Sequence, residues 1–355
     1  MKNAIKAMVF ILLFLVMLRS LTYMLRTNGP IKDIFVGFYA EPEDTIDVVM
    51  IGSSPVYPCY AAPQLWGEHG IAAYPLSSNV QRPKAAVYLV KEALKTQSPS
   101  LFIFELRQFT AADSYMMTYY MEFSRGVTDN LKYSVNRIDM IRALVPEEDR
   151  YSYYFDIFKY HSNWRSLILS DQRTAFIYER LHPLKGLLIH EEVVPGEKKD
   201  YSDITEELAI PPEQEEVLCE LMTYLKENEL QALFIVSPMV LTKELTMQFN
   251  YMERIITENG GTFLDLNDYY EEIGLDFARD FYDGGSHTNA SGSEKCTAFL
   301  GAYLEENYHF TDKRGDEAYA EWDVAYAYWL ECQAAALETI EEKVANGNYD
   351  VGEAE

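Results

Sequence analysis

Three residues, one early in the chain and two close together near its end, have the types that nucleophilic ester chemistry requires. Ser54 closes the run Ile46-Asp47-Val48-Val49-Met50-Ile51-Gly52-Ser53-Ser54. Asp283 and His287 share the stretch Asp280-Phe281-Tyr282-Asp283-Gly284-Gly285-Ser286-His287-Thr288-Asn289. A serine hydroxyl is a weak nucleophile near neutral pH. It needs an adjacent base, usually His, and an acid that fixes the tautomer of that base and stabilises its protonated form. Ser53 supplies a second hydroxyl in the first stretch, and Asp280 a second acid in the last. Two other polar groupings stand near apolar runs. Glu105 and Arg107 follow residues 101–104, either as a structural ion pair or as substrate contacts. His161 sits in Tyr160-His161-Ser162-Asn163-Trp164-Arg165, where polar side chains crowd together.

The elements that must position these residues follow from hydrophobic pattern. Residues 46–51 are apolar and β-branched, the pattern of a strand buried on both faces. Similar runs predict strands over 71–76, 101–105, 232–236 and 262–266. Helical patterns cover 63–69, 82–96, 211–228, 244–258 and 291–307, with Pro83 and Pro211 in first turns and Gly260-Gly261 as a stop. Alternating strands and helices predict right-handed βαβ units on a parallel five-stranded sheet, an α/β fold. In a sheet ordered 2-1-3-4-5, loops after the first and last strands converge on one crevice, so Ser54 and His287 would meet there. Residues 107–205 are rich in Tyr, Met and Phe and lack strand alternation. They read as a helical insertion after the third strand, of the sort that shapes or covers a pocket.

Composition narrows the class of function. The 355 residues carry a formal net charge of −26, which argues against nucleic acid as a partner and against docking on anionic lipid through a basic face. Cys59, Cys219, Cys296 and Cys332 are scattered and form no Cys-x-x-Cys pair, so neither a zinc motif nor a disulfide framework is expected. At the N-terminus, Lys2 and Lys6 precede an apolar run over 7–18, which Arg19 interrupts and 21–25 resumes. With no small-x-small cleavage pattern after it, this reads as an uncleaved signal anchor, Arg19 reaching towards an interface. The expected organisation is therefore an anchor and juxtamembrane segment over 1–32, a domain over 33–310, and an acidic helical tail over 311–355 that ends frayed.

These features together resemble the SGNH/GDSL hydrolase superfamily. They are most similar to a bacterial membrane-anchored branch related to the D-alanyl transfer protein of lipoteichoic acid synthesis and to alginate-acetylation proteins. The resemblance rests on the N-terminal anchor, the 46–54 block, a second block over 75–81, the 160–164 stretch and the 281–292 segment, and spans most of residues 1–306. It implies a three-layer α/β/α flavodoxin-like domain facing outward from the membrane. It also implies that Ser54 is the nucleophile, His287 the base and Asp283 its orienter. The oxyanion would be held by the Ser54 backbone N–H and a second-block group, Ser78 or Asn79. The implied activity is that of an acyl esterase or O-acyltransferase on a cell-envelope glycan or polymer, with no metal or organic cofactor. The alternative is a weakly catalytic or non-catalytic binding partner of a membrane-bound O-acyltransferase. The chain departs from the family pattern in three places. One extra residue separates Asp283 from His287, Phe104-Glu105-Leu106-Arg107 stands where the third-block Asn is usual, and Ser53 replaces the acid of Gly-Asp-Ser.

Overall fold

The computed structural model describes residues 2–26, 29–166 and 180–350. Parts of the 1–32 segment, the 107–205 insertion and the frayed end of the tail lie outside the described residues. Five parallel strands, β1 (Val48–Gly52), β2 (Ala73–Ser77), β3 (Leu101–Glu105), β4 (Ala232–Val236) and β5 (Thr262–Asp265), form one sheet in the order β2-β1-β3-β4-β5. Every residue of β1, β2 and β3 is buried, as expected of parallel strands covered on both faces. Register aligns Gly52 with Ser77, Ile51 with Phe104, Glu105 with Ile235 and Val236 with Asp265. The carboxyl ends of all five strands therefore lie along a single edge. The turn after β1 carries Ser54, and the segment after β5 leads to His287.

β1 and β2 start two residues later than hydrophobicity alone predicts. Asp47 explains part of this at the edge of the ladder. Its carboxylate accepts from the Ala72 N–H (3.1 Å) and from Lys313 (2.5 Å), so a side chain takes the Ala72 donor while the Asp47 N–H still donates to the Ala72 carbonyl (2.8 Å).

The first helix, Lys2–Leu25, has a mean hydropathy of 2.2 over its most apolar stretch and is long and apolar enough to cross a membrane or to serve as a signal segment. The next helix, Pro30–Ala40, belongs to the domain, with Ile34, Phe35 and Phe38 in the main core. Between β3 and β4, the described part of residues 107–205 holds short helices and no strand. Arg82 clamps the beginning of this insertion. Its Nε and Nη2 each donate to the Asp113 carboxylate at 2.8 Å, and Lys84 adds a third contact at 2.8 Å. Burial raises the Asp113 carboxyl, but the two cations outweigh it and hold the group below its ordinary value.

The acidic C-terminal helix, Ala320–Asn346, packs on the domain instead of trailing from it. Trp66 stacks on Tyr319 at 5.4 Å, contacts Trp322 at 5.8 Å, and donates its indole N–H to Asp323 (2.8 Å). Trp322 is 1% exposed and belongs to the main core. The buried side of this helix carries Trp322 and Trp329, followed by Ala336 and Ile340, while its exposed side mixes acids such as Glu321 and Glu331 with Val324, Tyr328 and Leu330. Trp322→Ala is therefore expected to cost about 3–5 kcal/mol, as large core truncations do. Denaturant unfolding of the detergent-solubilised chain measures it.

Candidate active site

The turn after β1 is built to present one hydroxyl and bury its neighbour. Ser53 is 1% exposed, and its Oγ accepts the Gln81 backbone N–H at 3.1 Å. That bond ties the β1 turn to the one after β2. Ser54 follows at the start of the short helix Val56–Cys59 and lines a cavity. Its Oγ lies 2.7 Å from His287 Nε2. On the other side of the ring, Nδ1 lies 2.5 Å from Asp283 Oδ2. A carboxylate can only accept here, so Nδ1 carries the proton and Nε2 is left to accept from the Ser54 hydroxyl. The remaining Asp283 oxygen, Oδ1, accepts the backbone N–H groups of Ser286 (2.9 Å) and His287 (2.8 Å). Burial raises the Asp283 carboxyl, but the hydrogen bonds and charge of His287 and the Ser286 N–H outweigh it, holding the acid below its ordinary value and ionised.

Two glycines turn the chain between Asp283 and His287. Gly284 and Gly285 both have positive φ, 83° and 114°. An antiparallel bridge between Phe281 and Thr288 closes the loop, together with a bond from Tyr282 N–H to the His287 carbonyl (3.1 Å). The loop's outer carbonyls are then fixed from two sides. Gly285 accepts from the Val240 N–H (2.6 Å) and Ser286 accepts from Arg107 Nη1 (2.7 Å). Asp280 is fully buried and pairs with Lys295 at 2.6 Å, so it braces the helix Ala290–Asn307 and does not touch His287.

The cavity, about 650 Å³, is walled by groups from several elements. Tyr57, one turn beyond Ser54, donates to Asn79 Oδ1 at 2.6 Å, which leaves the Asn79 amide N–H groups to donate to a bound ligand. Asn79 lines the cavity, whereas Ser78 is buried beneath it and donates to Gln81 (3.2 Å). Arg107 also lines the cavity. It forms no side-chain ion pair with Glu105; its backbone N–H reaches Glu105 Oε1 at 3.3 Å. Burial raises the Glu105 carboxyl above its ordinary value, and the nearby Arg107 charge opposes this without cancelling it. His161 is exposed on the insertion, with Nδ1 3.0 Å from the Phe158 carbonyl, and is not part of the cavity wall.

Two wall residues, His190 and Tyr57, are not marked by any motif in the sequence. His190 stacks on Tyr282 with ring centroids 4.0 Å apart, and Tyr282 in turn stacks near His287 at 5.4 Å. Burial lowers the His190 imidazole below its ordinary value against the opposing pull of Glu192, which favours a neutral ring on this side of the cavity. His190 lies in an extended segment with no periodicity to mark it. Tyr57 was recoverable only from its position just after Ser54.

Another cavity, about 540 Å³, opens at the amino end of β4 and β5 beside Leu225, Ala232 and Thr262, but holds no nucleophile–base pair. Among the described residues, no group of three or more His, Cys, Asp or Glu side chains is arranged to hold a metal ion. Compared with models of known protein families and with curated proteins, the chain matches none.

The closing loop can be probed at its glycines and at its acid. A Cβ at Gly285 would lie 2.2 Å from Val240 Cγ2, whereas one at Gly284 would meet nothing closer than Val194 Cγ1 at 3.7 Å. Both alanine variants carry a positive-φ cost of about 1–2 kcal/mol, but only Gly285→Ala should also displace His287, seen as a shifted imidazole resonance. The acid gives a pH dependence. An unfolded Asp titrates near 4, and Asp283 titrates lower in the fold. Its stabilisation is thus full above about pH 4 and is lost as pH falls through the lower, folded value. The stability gap between wild type and Asp283→Asn should shrink steadily on acidification below about pH 4, as followed by denaturant unfolding.

Proposed function

We propose that this chain is a membrane-anchored, serine-dependent acyl esterase or O-acyltransferase of the SGNH/GDSL hydrolase kind. The observation that carries this reading is the continuous Ser54–His287–Asp283 hydrogen-bonded relay, 2.7 and 2.5 Å, at the carboxyl edge of a parallel sheet. The strand order 2-1-3-4-5, with every β1–β3 residue buried, supports the three-layer flavodoxin-like form of that fold.

In this mechanism Ser54 Oγ attacks the ester carbonyl while His287 Nε2 takes its proton. The developing oxyanion receives hydrogen bonds from the Ser54 backbone N–H and the Asn79 side-chain amide. His287 then gives its proton to the leaving alcohol oxygen as the C–O bond breaks, leaving an acyl-enzyme on Ser54. Water or a sugar hydroxyl attacks that acyl carbon, with His287 again as base, and regenerates the serine. Asp283 holds the imidazole in one tautomer throughout and offsets its positive charge.

The substrate class, an envelope glycan or polymer, comes from the family resemblance. The aromatic wall formed by Tyr57, Tyr115 and Tyr282 suits the flat apolar faces of sugar rings. The first helix supports attachment to a membrane; the placement of the domain on its outer side, with a membrane-bound O-acyltransferase as the source of acyl groups, comes from the family resemblance.

Fluorophosphonate labelling of the full chain in membranes tests the reading. Wild type and Ser53→Ala should label, Ser54→Ala should not, and His287→Ala should label far more slowly. Asn79→Ala should retain labelling at saturating probe but lose about 10²–10³ in aryl-ester turnover, the usual cost of one oxyanion donor. A wild-type chain that neither labels nor turns over ester would instead make the cavity a binding site for an acyltransferase partner.

A further inference from the structure

The first helix enters the domain before its apolar length is used up. Its residues 2–17 are exposed, but Thr22, Tyr23 and Leu25 are buried in the protein. From Lys6 to Thr22 the helix rises about 24 Å. The hydrocarbon layer of a bilayer is about 30 Å thick. A helix that crosses it from Lys6 therefore carries the surface surrounding Thr22 down to the headgroup layer.

That surface belongs to the insertion, and its attachment to the helix is rigid. Asn163 donates to the Leu25 carbonyl at 2.9 Å. Arg26 pairs with the fully buried Asp156, which also binds Arg137 at 3.1 Å. The Arg19 guanidinium lies 6.0 Å from the Tyr133 ring centroid. Breaking a buried charge pair is strongly unfavourable, so the helix cannot swing freely against the insertion.

The insertion's outer face is aromatic. Tyr115, Tyr119, Phe123, Phe155, Phe158 and Trp164 are each between 39% and 68% exposed. Tyr115 and Tyr119 contact at 4.9 Å, Phe155 and Phe158 at 6.3 Å, and the Glu122–Lys159 ion pair (3.0 Å) joins the two groups. Water-facing surfaces seldom gather so many large rings, whereas membrane interfaces select for them. Tyr115 and Phe123 also line the Ser54 cavity.

We propose that this aromatic face of the insertion rests in the headgroup layer of the membrane crossed by the first helix, with the mouth of the Ser54 cavity opening at the bilayer surface. This rests on the anchor reading given above. Lipid is the occupant because the helix length brings this face to the bilayer whether or not another protein is present. The consequence for function is that substrate reaches Ser54 along the membrane surface, so acyl groups or acceptors held there are favoured over those free in solution.

Trp164 provides the test, because the other three tryptophans, Trp66, Trp322 and Trp329, are at most 2% exposed. The full chain is placed in phosphatidylcholine nanodiscs whose acyl chains are brominated near the carbonyl. Emission should fall by about a quarter, the share of one interfacial tryptophan in four, and the fall should vanish in Trp164→Phe. A second variant, Phe10→Trp in the Trp164→Phe background, places an indole about 6 Å along the helix from Lys6, at the depth of the bromines, and reports on the helix alone. Quenching of the indole introduced into the helix, without quenching of Trp164 in the wild type, would overturn the proposal while leaving the anchor intact. Quenching of neither would overturn both, and quenching that persists in Trp164→Phe would overturn the proposal as well.

Discussion

The imidazole of His287 is held from both sides at once, and most of the fold serves that constraint. One nitrogen must meet a serine 233 residues earlier in the chain, the other an acid in its own loop. A parallel sheet in this order brings the two regions together, because each strand delivers its carboxyl end to the same edge. Near the ring, the requirements are local. Gly284 and Gly285 take backbone conformations that other residues resist, and the Phe281–Thr288 bridge closes the loop at a fixed width.

Charge in the rest of the molecule is arranged so that few ionised groups reach this point. Asp280, Asp113 and Asp156 are buried, but each is neutralised by a cation within its own structural cluster. Glu105 is buried at the end of β3 without a side-chain ion pair, and its raised carboxyl value favours the uncharged form. Asp283 is the acid kept ionised beside the His287 ring. The Arg82–Asp113 clamp also links charge to shape, since it fixes where Tyr115 and Met116 enter the cavity wall. A chain with a net charge of −26 thus keeps its acids largely on the surface or paired, and leaves one carboxylate to act on the imidazole.

Legibility in the sequence followed the range of the interactions involved. Strands and their carboxyl ends were readable because burial on both faces leaves an apolar run, as in Met50-Ile51-Gly52. Ser54 and His287 were readable from that pattern once the strand order was assumed. Ser53 and Ser54 are alike in the sequence; they differ in the fold because Ser53 accepts from Gln81 across two turns while Ser54 meets His287. Glu105 and Arg107 read either as an ion pair or as substrate contacts; Arg107 lines the cavity and reaches the Ser286 carbonyl, a contact that depends on a loop 179 residues away. His190 was invisible because its stacking on Tyr282 leaves no periodic trace. The C-terminal segment read as an acidic helical tail because its acids dominate the composition, while the packing of Trp322 on Trp66 shows only in three dimensions.

Capture of the covalent intermediate is the most direct measurement. The full chain in membranes is mixed with an aryl acetate, quenched in acid within the first turnover, digested and mapped by mass spectrometry. If Ser54 is the nucleophile that His287 activates, one acetyl group appears on the peptide carrying Ser54, and none appears when His287 is replaced by alanine. Ester turnover that leaves Ser54 unmodified, or an acetyl group that forms equally well without His287, would contradict a serine activated through this relay.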